Sequence, residues 1–423
     1  MSLNTNNGNS DDTVVPSSSS LDTMNKLADD MNSSAKAAEP FTPTELDAIM
    51  TSLHEILPPD TPNNTPLDMA AIRSLLGDVG HLPHSDWDRT ADSATRLGKL
   101  LLPEDEGISS PFRYMFDRIL TEGNWDGAVA HSSDEKPWAV LVTGLNGVRK
   151  TTSIYQPWFE TILQEAIVGP STDNECGQTA PSLQLPTGQN SFFRQLDHMI
   201  ATLVNRHFLT LYQLTAQAHD FQSSSTPPPV PVIATYSKLK ASIFTRYRTL
   251  SEILGILLIR EAQRVGSNVM LETSGRNVAM FHYIDEFFPA DKYRKLVLRF
   301  TINELKCAEG SVDVRMVKEM VSGGAVMTRG GEGDGDMDVR ELIRTNLGGP
   351  YGSEVLLGVQ QDSDKVWETN VVGEGADVGS DWYKACIQIK ANAMDPDEDW
   401  TANAVKENGS SGTSFTFEAP PSL

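Results

Sequence analysis

The segment Thr143-Gly-Leu-Asn-Gly-Val-Arg-Lys-Thr-Thr152 carries the strongest chemical pattern in the 423-residue sequence. A glycine-opened turn that ends in lysine and a hydroxyl residue suits phosphate. Backbone N–H groups curl around the oxygens, the lysine reaches the outer phosphates, and the hydroxyl ligates a divalent cation. Gly144, Lys150 and Thr151 stand at the required offsets, and Gly147 and Thr152 add to the pattern. The second glycine that such a loop needs, immediately before the lysine, is Arg149. Glycine there lets the loop approach the phosphates closely, so Arg149 is a departure with consequences. The candidate nucleotide-binding residues are Gly144, Leu145, Asn146, Gly147, Val148, Arg149, Lys150, Thr151 and Thr152. The alternative is an ordinary strand–turn–helix junction.

Phosphoryl transfer further needs cations on the equatorial oxygens and a carboxylate that positions the acceptor hydroxyl. Gly188–Asp197 sets a polar start before Arg194 and Asp197. On the helix expected there the two would also suit an exposed i, i+3 pair worth roughly 0.3 kcal/mol. Glu272 ends an apolar run and precedes Thr273-Ser-Gly, where a carboxylate can orient an acceptor or hold Mg2+. Arg276 opens the next helix and could contact phosphate or acceptor, or be a solvated surface residue. Arg315, with Lys318 and Glu319, lies on a helix expected over 311–321, where it could equally pair with Glu319. Asn346-Leu-Gly-Gly-Pro-Tyr-Gly-Ser353 reads as a sharp exposed loop, set against the nucleotide base or forming a plain turn.

Other patterns fail on their own chemistry. Asp334–Asp338 alternates like a Ca2+ loop, but Val339 and Thr345 stand where Gly and Glu are needed. His81-Leu-Pro-His84 has no zinc context and reads as a loop, and the aromatic run Phe281–Phe288 reads as core. No Gly-x-Ser-x-Gly nucleophile elbow exists.

These residues must be held by elements the hydrophobic pattern predicts. Residues 1–40, rich in Ser, Asn and Asp, and 395–423 read as disordered, too poor in apolar surface to offset chain entropy. Thr42-Pro-Thr-Glu45 is a capping box. It opens a helical N-terminal region over 41–135, with further helices near 66–78, 90–101 and 111–121 and no visible chemistry. An α/β domain over 136–394 follows. Its buried strands are expected at 138–143, 268–272 and 294–302, with more near 353–360, 365–372 and 382–391. Helices are expected at 150–168, 192–208, 236–265, 277–287 and 311–321, and surface insertions near 169–187, 220–231 and 323–338. Alternation of this kind implies a mainly parallel sheet with helices on both faces.

Taken together, the loop residues Thr143–Thr152 resemble the phosphate loop of P-loop small-molecule kinases of the zeta toxin and adenylylsulfate kinase group, over about residues 138–322. The resemblance implies a P-loop NTPase-type sheet and transfer of the γ-phosphoryl group of ATP or GTP, with Mg2+, to a small hydroxyl-bearing acceptor. In that group an Asp shortly before Phe-Arg acts as base. Asn190 stands at that place and is a poor base, so Asp197 would have to substitute. The group's third strand offers a Glu before a small polar turn, matching Glu272, and a helical lid supplies an Arg, matching Arg315 by order. The implied catalytic set is Lys150, Asp197, Glu272, Arg194 and Arg315, with Thr151 and Glu272 toward the metal.

Composition narrows the partners. Net charge is −23, and residues 1–40, 331–341 and 395–423 carry −4, −4 and −5 of it. The acidity therefore lies mostly in the expected tails and one loop. It argues against long nucleic acids and anionic membranes, which need basic surface, but not against a single nucleotide. Three cysteines, Cys176, Cys307 and Cys386, form neither a disulfide scaffold nor a metal pattern. The longest apolar run, Ile253–Ile259, is too short to span a bilayer. With no secretory or transit pattern at the start, a cytoplasmic location is expected. Three functions compete: a phosphotransferase, a non-catalytic nucleotide-binding or interaction protein in which Arg149 ended catalysis, and an NTPase driving a conformational change. The last is weakest, because no Asp ends an apolar strand.

Overall fold

The computed structural model describes residues 18–57, 67–102, 108, 110–132, 135–168, 184–219, 221, 227–331, 338–376, 378–395, 398–406 and 409–420. Before the first strand come α1 (Ser18–Lys36), α2 (Pro43–Ile56), α3 (Met69–Val79), α4 (Trp87–Leu101) and the short α5 (Ser110–Met115), α6 (Asp117–Glu122) and α7 (Trp125–Ala130). The capping box at α2 forms as expected. Thr42 accepts from the Glu45 N–H, and Glu45 reaches back to the Thr42 N–H. Then follow β1 (Trp138–Thr143), α8 (Lys150–Ile154), α9 (Phe159–Ala166), β2 (Ser191–Arg194), α10 (Leu196–Leu203), α11 (Asn205–Ala218), α12 (Val230–Arg246) and α13 (Arg248–Arg264). The chain continues through β3 (Asn268–Thr273), α14 (Ala279–Phe287), β4 (Arg294–Ile302), α15 (Leu305–Gly331), α16 (Val339–Thr345), α17 (Leu356–Val366), β5 (Tyr383–Lys390), β6 (Trp400–Val405) and β7 (Ser411–Phe417).

The sheet runs β2-β3-β1-β4-β5-β6-β7. The first five are parallel and the last two antiparallel. This is the α/β, P-loop NTPase-type plan expected, with a helical region ahead of it. β1 is buried at every position because helices cover both faces of a parallel sheet. Its neighbours β3 and β4 lie on opposite sides, so β1 ends where the strand order reverses, and ligands gather beyond the carboxyl ends of strands at such a point.

Several expectations are corrected. Part of the expected disordered tail 1–40 is α1, whose Met24 and Ala28 are fully buried against α11 and α12. Its few apolar residues suffice because they share one helical stripe. Part of the expected tail 395–423 is β6 and β7. Trp400, Ala402 and Ala404 alternate inward, and Phe415 stacks on Trp158 of the α8–α9 link at 5.7 Å. Residues 1–17 lie outside the described residues. So do most of the expected insertion at 169–187 and half of that at 220–231, whose last two residues, Val230 and Pro231, instead open α12.

The insertion expected at 323–338 is largely helix, since α15 continues to Gly331. Val312, Met316, Met320 and Val326 are buried along it. The strands expected at 353–360 and 365–372 are a 3-10 turn Ser353–Val355, α17, and a π turn Trp367–Val371. Buried Leu356, Val359 and Ser363 recur at helical spacing, which outweighs the β-branched residues. The helix expected from 192 begins only at Leu196. Phe192 and Phe193 are both fully buried, which a strand covered on two faces allows. The expected 236–265 helix is two, broken at Tyr247.

Candidate functional site

The loop between β1 and α8 has the geometry its glycines permit. Gly144 has φ of 133° and Gly147 of 86°, and a side chain at Gly147 would strike the Ala308 carbonyl of α15. Arg149 adopts the same left-handed region at φ 64°, ψ 29°. For a residue with a Cβ this costs about 1–2 kcal/mol. The missing glycine is therefore not matched by a missing conformation. The Arg149 side chain turns toward the C-terminal strand, where Nη2 lies 3.4 Å from the Glu418 carbonyl, and burial pulls its pKa down.

Lys150 is buried and donates to the Gly144 and Leu145 carbonyls at 2.6 and 2.7 Å. Its third partner is Glu272 at 3.0 Å, on the adjoining strand β3. These use all three ammonium hydrogens. The parallel register pairs Val142 with Glu272 and Thr143 with Thr273, so lysine and carboxylate meet because β1 and β3 are neighbours.

Beyond the loop opens a cavity of about 480 Å³. Asn146 and Thr151 line it from the loop, Glu272 from the end of β3, and Ser274 and Arg276 from the turn after it. Arg194, Asp197, Arg315 and residues 347–351, a loop that is buried or half-buried rather than exposed as expected, line it too, whereas Gly144, Lys150 and Thr152 do not. Residues 121 positions apart thus share one space. Two readings of local pairing are corrected. Arg194 ends a strand, so it forms no helical i, i+3 pair with Asp197. Glu319 is fully buried and pairs with Lys240 of α12 at 2.8 Å rather than with Arg315.

Arg194 shows how the site is charged. Its Nη1 donates to Glu252 and to the Tyr283 hydroxyl at 3.1 and 2.9 Å. Its Nε and Nη2 are buried with no partner among the described residues, as are Nε and Nη2 of Arg315. Arg248 shares Glu252 through Nε at 3.0 Å. Burial alone would raise the Glu252 carboxyl, but Arg248 and Arg194 hold it below the usual range. Two guanidiniums on one carboxylate leave net positive charge. Arg246 and Arg276 also line the cavity, against the carboxylates Asp197 and Glu272. A chain of net charge −23 therefore holds a cation-rich cavity suited to anions.

Asp197 accepts the Gly349 N–H at 2.7 Å, and Arg276 donates to the Tyr351 hydroxyl at 2.8 Å. Beside Asp197, His198 pairs with Glu122 of α6 at 2.9 Å. Burial would raise the Glu122 carboxyl, yet the hydrogen bond and charge of His198, with Arg118, bring it down to about 2. Asn190, at the base position of the resembled group, is structural. Its side chain accepts the Thr187 N–H and donates to the Leu185 carbonyl.

Arg246, Arg248, His84 and His198 line the cavity without having been singled out as site residues. The helical N-terminal region, expected to carry no chemistry, supplies the His81–His84 loop to the wall. Arg248 and Glu252 stand at i, i+4, the one local signal available. Arg246 binds Glu45 through two nitrogens, 201 residues away in sequence, which no spacing reveals.

For a divalent cation, the Thr151 hydroxyl and the Glu272 carboxylate are hard oxygen donors on the same cavity. They match how Mg2+ is held, by one or two protein oxygens together with phosphates. Among the described residues no group of three or more His, Cys, Asp or Glu could hold a metal unaided. Nor is any helix among them long and apolar enough to cross a membrane.

No family model matches the sequence. No curated protein matches it either. Among solved structures the chain is similar to one from the PezAT chromosomal toxin–antitoxin system of Streptococcus pneumoniae, at 12% identity and a TM-score of 0.32. That match covers 71% of this chain and 81% of the other.

Proposed function

We propose that the protein is a nucleotide-binding phosphotransferase that moves the γ-phosphoryl group of ATP or GTP to a small hydroxyl-bearing acceptor. The observation that carries this reading is the Lys150–Glu272 pair, set between the loop after the central strand and a cavity rich in arginine. The loop N–H groups and Lys150 would hold the phosphates. Thr151 and Glu272 would hold Mg2+, which when bound supplies charge neutralisation between the outer phosphates. Asp197, or Glu272 once released by Lys150, would orient the acceptor hydroxyl. Arg194 and Arg315, with unpartnered guanidinium N–H groups, would face the equatorial oxygens.

Titration calorimetry with ATP and GTP, each with Mg2+, tests the binding. Absence of heat at millimolar nucleotide would sink the proposal. Labelled γ-phosphate followed into a metabolite extract tests the transfer and identifies the acceptor.

A second reading has its own support. Arg149 occupies a glycine's conformation, and Lys150 is fully engaged by its own loop and Glu272. These favour a protein that binds nucleotide, or another partner, without turnover. Saturable binding with neither hydrolysis nor transfer would select it.

A further inference from the structure

We propose that the buried pair Lys240–Glu319 is a positioning device, which sets the backbone of loop residues 347–349 and through it holds Asp197 and Arg315 toward the cavity. The roles of Asp197 and Arg315 rest on the phosphotransferase reading. The positioning itself does not.

Both partners are fully buried, Lys240 on α12 and Glu319 on α15. Replacing such a pair by well-packed apolar residues is often neutral or stabilising, so stability alone gives little reason for it. What the pair does is serve the loop. Glu319 Oε2 accepts both Lys240 Nζ and the Leu347 N–H, at 2.8 and 2.7 Å. Lys240 also donates to the Gly348 carbonyl at 3.1 Å, and Tyr236 donates its hydroxyl to Glu319 Oε1. The Gly348 N–H donates to Asn346 Oδ1 at 2.9 Å, and that of Gly349 to Asp197. Three consecutive residues thus have backbone groups tied to side chains of α15, α12 and α10.

The same loop meets Arg315, one turn before Glu319 on the same face of α15. Gly349 lies at φ 69°, and a Cβ there would sit 2.1 Å from Arg315 Nη2. The guanidinium therefore packs on a residue that must lack a side chain. The buried pair anchors α15 beneath the loop, so the loop, Asp197 and Arg315 form one unit.

The test replaces Tyr236→Phe, Lys240→Met and Glu319→Met together, which removes the buried charges without leaving one unpaired. Hydrogen exchange of the 347–349 amides should quicken at least about 10-fold, while the remaining amides of α12 and α15 keep their protection. Labelled phosphoryl transfer from ATP should fall about 10- to 100-fold with ATP affinity within about 2-fold, as a misplaced group implies. Gly349→Ala should lower transfer similarly without quickening exchange at Leu347. Unchanged exchange in the triple variant overturns the proposal. So does quickened exchange with undiminished transfer. If the parent protein transfers no phosphoryl group at all, the phosphotransferase reading fails, and the exchange measurement alone decides the positioning.

Discussion

At the Lys150 end of the cavity, the candidate residues are consecutive on one loop, and Lys150 is satisfied by two loop carbonyls and one neighbouring carboxylate. At the arginine-rich end, Arg194, Asp197, Arg248, Arg276 and Arg315 arrive from separate elements, and each is tied into side chains or loops of others. The difference is one of mechanical dependence. The loop needs a strand before it and a helix after it. The arginines need the whole packing of helices, including the N-terminal ones, to converge. Charge near the loop should therefore be separable from stability, and charge held in buried ion pairs at the far end, as on Arg194 and Arg248, should not.

Lys150→Ala is expected to have the largest effect. It should lower phosphoryl transfer about 10³-fold or more, some 4 kcal/mol of transition-state stabilisation. Transfer kinetics read this, and a variant as active as the parent would remove the loop from the chemistry.

Within the arginine-rich end, the dependence of stability on buried ion pairing is tested by Arg194→Met against Arg315→Met. The first leaves fully buried Glu252 with Arg248 alone and should cost about 3 kcal/mol in urea denaturation. The second breaks no ion pair described in the fold and should stay within about 1 kcal/mol. Equal losses would break the comparison.

Acid sensitivity has a source outside both ends. His207 of α11 bonds the Tyr247 hydroxyl at 2.8 Å, and burial, with Arg246 adding to it and Glu45 opposing, pulls its pKa down to about 4. Between about pH 6.5 and 4 the unfolded chain binds more protons than the folded one. Stability is then full above 6.5 and falls as pH approaches 4, by roughly 3 kcal/mol. Half-buried His84, on the cavity wall, acts in the same direction. Thermal unfolding across that window should flatten in His207→Leu; an unchanged slope would reassign the effect.

Arg149→Gly should have the smallest effect. Relief of the left-handed conformation, less the entropy of glycine, leaves about 1 kcal/mol or below in stability. Nucleotide affinity decides more. A large gain would show that Arg149 is a handicap, and a loss would show that its side chain serves the loop.

How much was legible follows the same division. The glycine-bearing turn between β1 and α8, the strand carrying Glu272 and the α2 capping box are legible because each is a local pattern with a local cause. Arg194, Asp197, Glu272 and Arg315 were reached by order along the chain, and the structure brings all four to one cavity. Glu252, Arg246, Arg248 and the His81–His84 loop were not read as parts of the site, because their partners or neighbours lie far off in sequence. In α1, β6, β7 and α17 the spacing of a few apolar positions outweighs composition and β-branched residues in deciding the element.

The sequence by itself determined the α/β plan, the placement of a lysine and a hydroxyl at the end of a buried strand, and the excess of acid outside the patterned segments. Only the tertiary structure decided that Arg149 takes up the glycine conformation, that Lys150 closes on Glu272, and that arginines from distant helices outnumber the acids in one cavity. Short-range order follows from periodicity and turn chemistry, which a sequence displays. Long-range charge pairing depends on which buried groups meet after packing, and desolvation makes those meetings strong only once the fold has closed around them.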